Sequence, residues 1–398
     1  MCKKILPFYS ASVSFFLNGK KIPRLGNIQK KTSFFLAIPL DFRIFAKMKK
    51  FIKILFFSLN VLVAIALLVS SMAVWIAPDQ VVWVSLFSFL YLPLVVLNIL
   101  FALIWLLFKK KHFLLSTIVV GLRCMLIPLF VQVSGNTEGN GFKVMTFNVH
   151  HFFGIDDNRD QMDSNAMEFL RLVRDEDPLI ICTQETGRVP GFCLADSLIA
   201  QNYKYIYSLH SSANDEPYGT TIFSKEKLDY VHSLDDGRKL YADLKVEGRT
   251  VRVMALHLAS YTLKADEAEE LHQPLDTAVA HKVIGKVIRT LKRHEQEWKE
   301  SIKPVVRETP YPLIVLGDFN DTPASYVYHR MKKQGLKDSF VEQGKGIGAT
   351  YNGPYPAYRI DYVLHSGELQ CTAYKSINTE LSDHSAVVAT LKWKDPVQ

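Results

Sequence analysis

One stretch of ten residues, PLIVLGDFND at 312–321, ends an apolar run with a carboxylate and a carboxamide. Asp318 and Asn320 are two residues apart, so they lie on the same side of an extended chain. That arrangement suits a ligand that both side chains bind. Asp, Asn and Gly also dominate turns, so the stretch alone fits the exit of a strand into a turn equally well.

Polar side chains also end other apolar runs of the chain. Asn148 ends one run, Glu185 ends the next, and His257 lies late in a third. In open α/β sheets, ligands bind in the crevice beyond the ends of the strands. Together with Asp318 and Asn320, these placements predict one shared site rather than several unrelated turns.

Alternating apolar strands and helical stretches must position these residues. Residues 165–178 have apolar side chains at helical spacing before Pro178, and a charged helical segment covers about 263–303. The EGR sequence at 247–249 joins two strands in the manner of a hairpin. Strands are predicted at 142–149, 179–185, 218–225, 240–248, 249–258, 312–321, 359–366 and 382–393.

The motifs TFNV, TQE, YGTTIFSK, LHL, GDFND, RIDYVL and SDHSAV follow one another between about Phe142 and Trp393. In that order they resemble the endonuclease/exonuclease/phosphatase superfamily, which includes apurinic endonucleases, pancreatic-type deoxyribonucleases, neutral sphingomyelinases and inositol polyphosphate phosphatases. The resemblance implies an α/β fold, a four-layer sandwich of two mixed β-sheets with helices outside.

The resemblance also implies a magnesium site. Glu185 resembles the main Mg²⁺ ligand of the superfamily, and Asn148 resembles the neighbouring residue that orients the metal and the phosphate. Asp383 of the SDH motif is similar to a second acidic residue of that site. Mg²⁺ is a hard cation that prefers oxygen ligands and takes one or two carboxylates with water. Mn²⁺ is a plausible substitute in the same site.

The same comparison implies an acid–base pair. His384 resembles the general base, because an imidazole that titrates near neutral pH can accept a proton from attacking water. Asp361 of RIDY resembles the carboxylate that orients this imidazole. His257 is similar to the second histidine of the superfamily, which hydrogen-bonds the phosphate and assists the leaving group.

The opening stretch then gains a role over the scissile phosphate. The Asp318 position aligns or activates water in the superfamily, and the Asn320 position binds a phosphate oxygen. The sequence leaves open whether Asp318 or His384 is the base. Tyr218 of YGTT is expected to contact substrate, with a packed aromatic as the alternative.

Net charge differs between the parts of the chain. The whole sequence carries +8, but residues 1–50 hold eleven Lys/Arg and one acid, and residues 51–134 hold five and one. The remaining 31 basic and 37 acidic residues leave 135–398 at 31 − 37 = −6. A net-acidic domain is not typical of a strong nucleic-acid binder.

Three apolar runs, 54–77, 80–108 and 113–133, precede this acidic part. A membrane-spanning helix needs about 20 apolar residues, so three transmembrane helices are predicted. Arg123 lies near the middle of the third run, where it would cost about 2.5–3.5 kcal/mol. The alternative for that run is a segment lying in the membrane interface.

Lysines set the expected orientation. Three lysines at 49–53 precede the first run, and Lys109–Lys111 follow the second, so both clusters are expected on the cytoplasmic side. Three spans would then place residues 135–398 outside the cytoplasm and the N-terminus inside. If the third run does not cross, the soluble part is cytoplasmic.

The domain prediction follows these boundaries. Residues 1–47 form a basic tail, and translation is suspected to begin at Met48, which a charged and then apolar stretch follows. Residues 48–134 form the membrane region, and the Gly- and Asn-rich residues 135–141 form a linker. Residues 142–398 form the catalytic domain.

The predicted function is a membrane-anchored, Mg²⁺-dependent phosphoesterase that hydrolyses a phosphodiester or phosphomonoester with activated water. A lipid or small phosphate ester is favoured over nucleic acid as substrate. An extracytoplasmic nuclease is the first alternative, and a non-catalytic binding module of the same fold is the second. The sequence fixes neither the substrate nor the oligomeric state.

Overall fold

The computed structural model describes residues 42–189, 193–209, 219–235, 237–261, 277–353 and 356–394. Most of the predicted N-terminal tail therefore lies outside the described residues. The chain divides into two compact units, Met1–Lys53 and Ile54–Gln398. The second unit contains every predicted site residue.

The chain before residue 130 is helical and apolar where the structure describes it. Two helices are long and apolar enough to cross a membrane, Lys47–Met72 and Val82–Leu107. Only 17% and 33% of their most apolar stretches are buried. The helical segments are α1 (Phe42–Met72), α2 (Val82–Leu86), a 3₁₀-helix (Phe87–Leu90), α3 (Tyr91–Leu107), α4 (Phe113–Arg123) and a second 3₁₀-helix (Cys124–Leu129).

The prediction of a full-length third transmembrane helix is wrong. The run 113–133 forms only a shorter apolar helix, Phe113–Leu129, and its α-helical part ends at Arg123. Pro128 lies in the 3₁₀ turn that follows. Proline lacks a backbone N–H and disfavours an α-helical residue before it, so the sequence does not support a longer α-helix there.

Arg123 was expected near the middle of an apolar helix, but it lies at a helix end. It is the last residue of α4, and its guanidinium is 5.7 Å from the ring centroid of Trp75, in the loop after α1. The Tyr91 hydroxyl donates a hydrogen bond of 2.6 Å to the Arg123 carbonyl. The arginine therefore belongs to the end of the helix and does not interrupt its apolar middle.

Neutral polar side chains join these helices. The buried Asn60 amide of α1 donates to Ser116 Oγ of α4 at 2.6 Å and accepts from Trp105 Nε1 of α3 at 3.0 Å. Asn98 of α3 donates to the Val63 carbonyl at 3.3 Å. Such hydrogen bonds hold helices together where apolar packing alone has no directional preference.

Two six-stranded mixed sheets follow. The first has the strand order β11-β12-β1-β2-β4-β3, and the second has β5-β6-β7-β8-β10-β9. The only parallel pairs are β1 with β2 and β7 with β8 among the described strands. The strands are β1 (Phe142–Asn148), β2 (Ile180–Thr186), β3 (Tyr205–Ser208), β4 (Gly219–Ser224), β5 (Leu228–Ser233), β6 (Lys239–Val246), β7 (Arg249–His257), β8 (Leu313–Asp318), β9 (Lys337–Asp338), β10 (Asp361–His365), β11 (Leu369–Ile377) and β12 (Ala386–Trp393).

The helices lie outside the sheets, which confirms the predicted α/β sandwich. Val144 and Ile180 of the first sheet share one core cluster with Ile314 and Leu316 of the second. Alternate residues face the helices, because side chains alternate along a strand. The helices of this domain are α5 (Met162–Glu176), α6 (Leu194–Ala200), α7 (Thr277–Glu297), α8 (Lys303–Glu308), α9 (Tyr326–Lys333) and α10 (Ser339–Gln343).

Two local predictions are also confirmed. The hairpin between β6 and β7 turns at Glu247 and Gly248, whose φ angles are +52° and +79°. Positive φ at both central residues matches the tight turns that suit the twist of hairpin strands. The charged segment forms α7 and continues through a π-helical turn at Trp298–Ile302. Its predicted beginning, at 263–276, lies outside the described residues.

Candidate active site

Strand register brings the predicted residues to one edge of the sandwich. His257 at the end of β7 pairs with Asp318 at the end of β8, and Asp361 at the start of β10 also pairs with Asp318. Asn148 ends β1 beside the end of β2, where Glu185 lies. Because each sheet contributes one parallel pair with its C-terminal ends at this edge, side chains from both sheets meet.

Asn148 connects the two sheets. Its Nδ2 donates to Asp318 Oδ2 at 3.0 Å and to Glu185 Oε1 at 3.3 Å. Its Oδ1 accepts the His150 backbone N–H at 3.1 Å, and its carbonyl accepts the Ser382 hydroxyl at 2.7 Å. The side chain is therefore fixed between two carboxylates.

The stretch after β8 is a turn, and it also places two polar side chains at the site, so both interpretations of its sequence hold. Asp318 Oδ1 accepts the Asn320 backbone N–H at 2.8 Å, and Asn320, with φ of +50°, donates its Nδ2 to the Leu258 carbonyl at 3.1 Å. A Cβ on Gly317 would lie 1.9 Å from the Leu256 carbonyl oxygen, so glycine is required for the close approach of β8 to β7. The turn places both polar side chains at the site.

His384 and Asp361 form a buried hydrogen-bonded pair. His384 Nδ1 is 2.9 Å from Asp361 Oδ2, and its Nε2 is 3.9 Å from Asp318 Oδ2. Burial lowers the pKa of His384, but the Asp361 and Asp318 carboxylates outweigh it and raise this pKa well above its ordinary value. The two carboxylates therefore favour the protonated form of the imidazole.

Asp318 differs from an ordinary surface carboxyl. Burial, and to a lesser extent the nearby Asp361 carboxylate, raises its pKa to a net value of about 7. His384 and the N–H donors of Asn320 and Asn148 lower it in part. Two carboxylates and one imidazole titrate together here, so their proton affinities belong to the group.

His257 lies between Glu185 and Asp318. Its Nε2 is 3.6 Å from Glu185 Oε1 and 3.8 Å from Asp318 Oδ2, and this buried nitrogen has no hydrogen-bond partner among the described residues. Burial lowers the pKa of His257. Burial raises the pKa of Glu185, but the charges of the surrounding histidines outweigh it and lower that pKa. The ionised form of Glu185, which is the form that binds a metal ion, is therefore favoured.

The donor set fits a divalent cation. The Glu185 and Asp383 side chains are 20% and 18% exposed, and both line one cavity of about 470 Å³. Carboxylate oxygens that are open to such a cavity are the ligands that Mg²⁺ prefers. Asp318, Asp361 and His384 also have potential ligand atoms within 4.8 Å of one another. The His384–Asp361 hydrogen bond already occupies one atom of each.

Two histidines at the site were missed by the sequence reasoning. His150 Nδ1 is 3.5 Å from Asp383 Oδ1, and His151 Nε2 is 3.7 Å from Glu185 Oε2. His150, His151 and Phe152 have φ of +42°, +52° and +64°. Consecutive non-glycine residues in this conformation are costly and cluster at functional sites. The signal that could have found them is the HH pair directly after the Asn148 motif.

One predicted residue, Tyr218, lies outside the described residues. The other eight predicted residues come together at this edge of the sandwich, and their individual roles stay predictions. The cavity also has an aromatic side, formed by Tyr261 and Tyr358 and by Phe89 from the helical region. No local pattern in the sequence indicates that long-range contact.

Fold and site together define a class: an α/β sandwich whose polar site lies where strands of both sheets end. The chain belongs to the Endonuclease/Exonuclease/phosphatase family, which matches residues 145–384. Members of this family are hydrolases of phosphate esters that in general use a divalent metal ion. Residues 52–130 match a domain of unknown function (DUF8431).

Solved structures with this fold are distant in sequence. The endonuclease/exonuclease/phosphatase from Beutenbergia cavernae DSM 12333 is 20% identical with a TM-score of 0.46, over 63% of this chain and 71% of that one. A family protein from Leptotrichia buccalis C-1013-b is 18% identical with a TM-score of 0.44, over 63% of this chain and 100% of that one. The human Nocturnin catalytic domain, with bound sulfate, is 16% identical with a TM-score of 0.47, over 65% and 96%. No curated protein matches the chain.

Proposed function

We propose that this chain is a membrane-anchored, Mg²⁺-dependent phosphoesterase that hydrolyses a phosphodiester or phosphomonoester with activated water. The observation that carries the proposal is the His384–Asp361 pair, 2.9 Å apart, at the same cavity as the Glu185 carboxylate. Asp318 lies within 4 Å of both His257 and His384. Acid, base and oxygen ligands are thus within reach of one phosphate group.

Glu185 and Asp383 are the proposed ligands of the metal, with Asn148 orienting Glu185 and the phosphate. The ion, when bound, would neutralise charge on the phosphate in the transition state. Mn²⁺ has similar ligand preferences and is expected to replace Mg²⁺. His150 and His151 adjoin the two ligands and would hold the carboxylates in place.

Asp318 is the proposed base. The backbone N–H of Asn320 donates to Asp318 Oδ1, and the Asn320 side-chain Nδ2 donates to Asp318 Oδ2. Asp318 Oδ2 also lies 3.9 Å from Nε2 of the protonated His384. A carboxyl with a pKa of about 7 can accept a proton from attacking water near neutral pH. His384, kept charged by Asp361, would then donate a hydrogen bond to a phosphate oxygen rather than act as the base.

His257 and Asn320 complete the proposed phosphate site. The unpartnered Nε2 of His257 is available to a phosphate oxygen or to the leaving group. Asn320 lines the cavity and lies in a turn that is fixed at both ends. Preorganised donors of this kind stabilise charge that develops in the transition state.

Membrane anchoring is supported by the exposure of the two long apolar helices. Most of the surface of Lys47–Met72 and Val82–Leu107 is unburied, unlike that of the core helices of a soluble domain. The loop between them meets the catalytic domain, since Asp79 pairs with Lys299 at 2.7 Å. Lys109–Lys111 follow α3 at its other end, and the shorter apolar helix Phe113–Leu129 leads from these lysines back to Trp75. We therefore propose that this shorter helix returns across the membrane and that the catalytic domain lies on the side away from these lysines, outside the cytoplasm.

The domain proposal keeps a membrane region at 48–134, a linker at 135–141 and a catalytic domain at 142–398. Residues 52–130 and 145–384 match separate families, which supports this division. A lipid or small phosphate ester remains the proposed substrate ahead of nucleic acid, because the catalytic part is net acidic.

The test uses the full chain in detergent micelles with bis(p-nitrophenyl) phosphate and Mg²⁺. We expect turnover that EDTA abolishes and that His384→Ala reduces by about 10²–10⁴-fold. The control His232→Ala replaces an exposed histidine on β5 and should leave turnover unchanged. DNA and RNA are assayed in parallel, and their preferential cleavage would select the nuclease. No turnover of any phosphate ester by folded protein would favour a non-catalytic binding module.

A further inference from the structure

One residue of the apolar helical region, Phe89, helps to line one wall of the catalytic cavity. Phe89 lies in the 3₁₀-helix that leads into α3 and lines the cavity with Glu185 and His384. Its ring packs edge-on against Tyr261 at 5.6 Å and Tyr358 at 5.8 Å. The Tyr358 hydroxyl donates to the Phe89 carbonyl at 3.2 Å. The contact is therefore held by both side chain and backbone.

The rest of this wall is also fixed in position. Tyr261 packs edge-on against the buried His294 ring of α7 at 5.6 Å. His294 bridges the Ala259 carbonyl, at 2.7 Å, and Asp321, at 3.2 Å. The segment that carries Tyr261 is thereby tied both to α7 and to the turn after β8.

The cavity has two chemically different sides. Glu185, Asp383, His384 and Asn320 form the ionic side. The other side is mainly aromatic and aliphatic, and it is lined by Phe89, Tyr261, Tyr358, Val287, Pro356 and Ile360. A ligand that matches both sides is amphiphilic, with a phosphate at one end and an apolar group beside it.

The wall lies where the apolar helices meet the catalytic domain. Phe89 precedes α3 by two residues, and the 17 residues of α3 span about 26 Å, close to the thickness of a bilayer core. Trp75 and Trp83 are 44% and 60% exposed on the same end of the helical region. Exposed tryptophans are enriched at the membrane–water interface. Phe89 lies near the start of the apolar segment Val82–Leu107, so the aromatic wall adjoins the expected membrane–water interface.

We propose that this aromatic wall selects phosphate esters with a long aliphatic chain, taken from the membrane surface, and that Phe89 is the specificity-determining residue. The proposal rests on the proposed phosphoesterase function and adds the substrate class. Aromatic rings also stack on nucleobases, but this wall includes three aliphatic or proline side chains and takes Phe89 from the membrane segment. Those two features favour a hydrocarbon chain over a base.

Three p-nitrophenyl phosphodiesters with the same leaving group test the proposal on the full chain in micelles. Their second ester group is methyl, octyl or thymidine. Each methylene that the wall buries should raise kcat/KM about four-fold, so we expect the octyl ester to exceed the methyl ester at least ten-fold. Phe89→Ala should reduce the octyl-to-methyl ratio about ten-fold through the KM of the octyl ester. Phe89→Leu should restore most of the ratio.

Phe87→Ala is the matched control, because it removes the same ring from the same 3₁₀-helix without lining the cavity. The octyl ester partitions into micelles equally in assays of this variant, so the variant should keep the wild-type octyl-to-methyl ratio of kcat/KM. Equal loss of the ratio in both variants, or equal rates for all esters in the wild type, overturns the proposal. A preference for the thymidine ester overturns it in favour of nucleotides. If no ester is hydrolysed, the proposed phosphoesterase function fails as well. If the esters are hydrolysed without an octyl preference, only the proposed substrate class fails.

Discussion

Polar residues are buried both in the apolar helical region and at the sheet edge, but they differ in kind. Among the described residues 42–130, the fully buried polar side chains are all neutral, namely Asn60, Ser70, Ser71, Ser85, Ser88, Asn98 and Ser116. At the sheet edge they are ionisable, and Asp318, Asp361, His257 and His384 are each at most 5% exposed. Asn60, Asn98 and Ser116 of the first set join helices, whereas the second set crowds charge into one cavity.

This difference distinguishes buried polar groups that stabilise the fold from buried polar groups that serve catalysis. A neutral amide such as Asn60 satisfies its partners and stabilises the helix packing. Crowded carboxylates destabilise the fold, because burial and mutual repulsion both disfavour their charged forms. Residues kept at that cost are typical of active sites. The following predictions test this contrast, from the largest expected effect to the smallest.

Asp318→Asn should produce the largest change. It removes the proposed base, so kcat on bis(p-nitrophenyl) phosphate should fall by about 10²–10⁴-fold. In the wild type, kcat should rise with pH up to about 7, as Asp318 loses its proton, and this limb should vanish in the variant. Steady-state rates between pH 5 and 9 measure both. If Asp318→Asn kept the wild-type rise of kcat with pH, another residue would be the base. Asp177→Asn, which changes an exposed residue, is the control.

Glu185→Gln should come next. The substitution keeps the shape of the side chain but removes a charge from the proposed metal site, so the Mg²⁺ concentration for half-maximal activity should rise about 100-fold. Activity and calorimetric titrations with Mg²⁺ and Mn²⁺ measure the shift. Glu308→Gln changes an exposed glutamate at the end of α8 and serves as the matched control. An unchanged titration in Glu185→Gln would contradict the metal assignment.

The stability of Asp318→Asn should depend on pH. A carboxyl whose pKa is raised from 3.8 to about 7 in the folded state favours folding most below 3.8 and loses that contribution as the pH rises through 7. Relative to wild type, the variant should therefore gain stability between pH 4 and 7, by up to about 1.4 kcal/mol per pH unit. Thermal unfolding in micelles at pH 4, 6 and 8 tests this. A variant that is less stable at pH 8 than at pH 4, relative to wild type, would disprove it.

Asn60→Val should have the smallest effect. It breaks two buried hydrogen bonds that join α1 to α3 and α4, which should cost about 1 kcal/mol of unfolding free energy. Turnover of bis(p-nitrophenyl) phosphate should be unchanged, because the helices bear no ionisable group of the site. Asn60→Ser, which keeps a hydroxyl, should lose less. Should Asn60→Val reduce kcat as strongly as Asp318→Asn, the contrast between the two regions would be wrong.

The sequence predicted the sandwich and the gathering of its site residues for a simple physical reason. Residues such as Asn148, Glu185 and Asp318 follow apolar runs that can only be buried strands, and strand ends define a shared edge. Their positions depend on local pattern and strand register, both of which a sequence carries.

Other features depend on contacts that no local pattern encodes. The left-handed backbone of His150 and His151 occurs without glycine, so nothing in composition marks it. Arg123 seemed to interrupt a span because the end of α4 depends on Trp75 and Tyr91, which lie far away in sequence. The contact of Phe89 with Tyr261 likewise joins residues from separate regions.

The placement of Phe89 has a consequence for how such an enzyme diversifies. The segment that fastens the protein to its bilayer also supplies part of the cavity, so attachment and substrate choice are inherited together. A chain cut before residue 135 would keep every strand-end residue of the site but lose Phe89, and should act as a less discriminating catalyst. Exchanging residues 52–130 between relatives should therefore transplant selectivity while the catalytic groups stay unaltered.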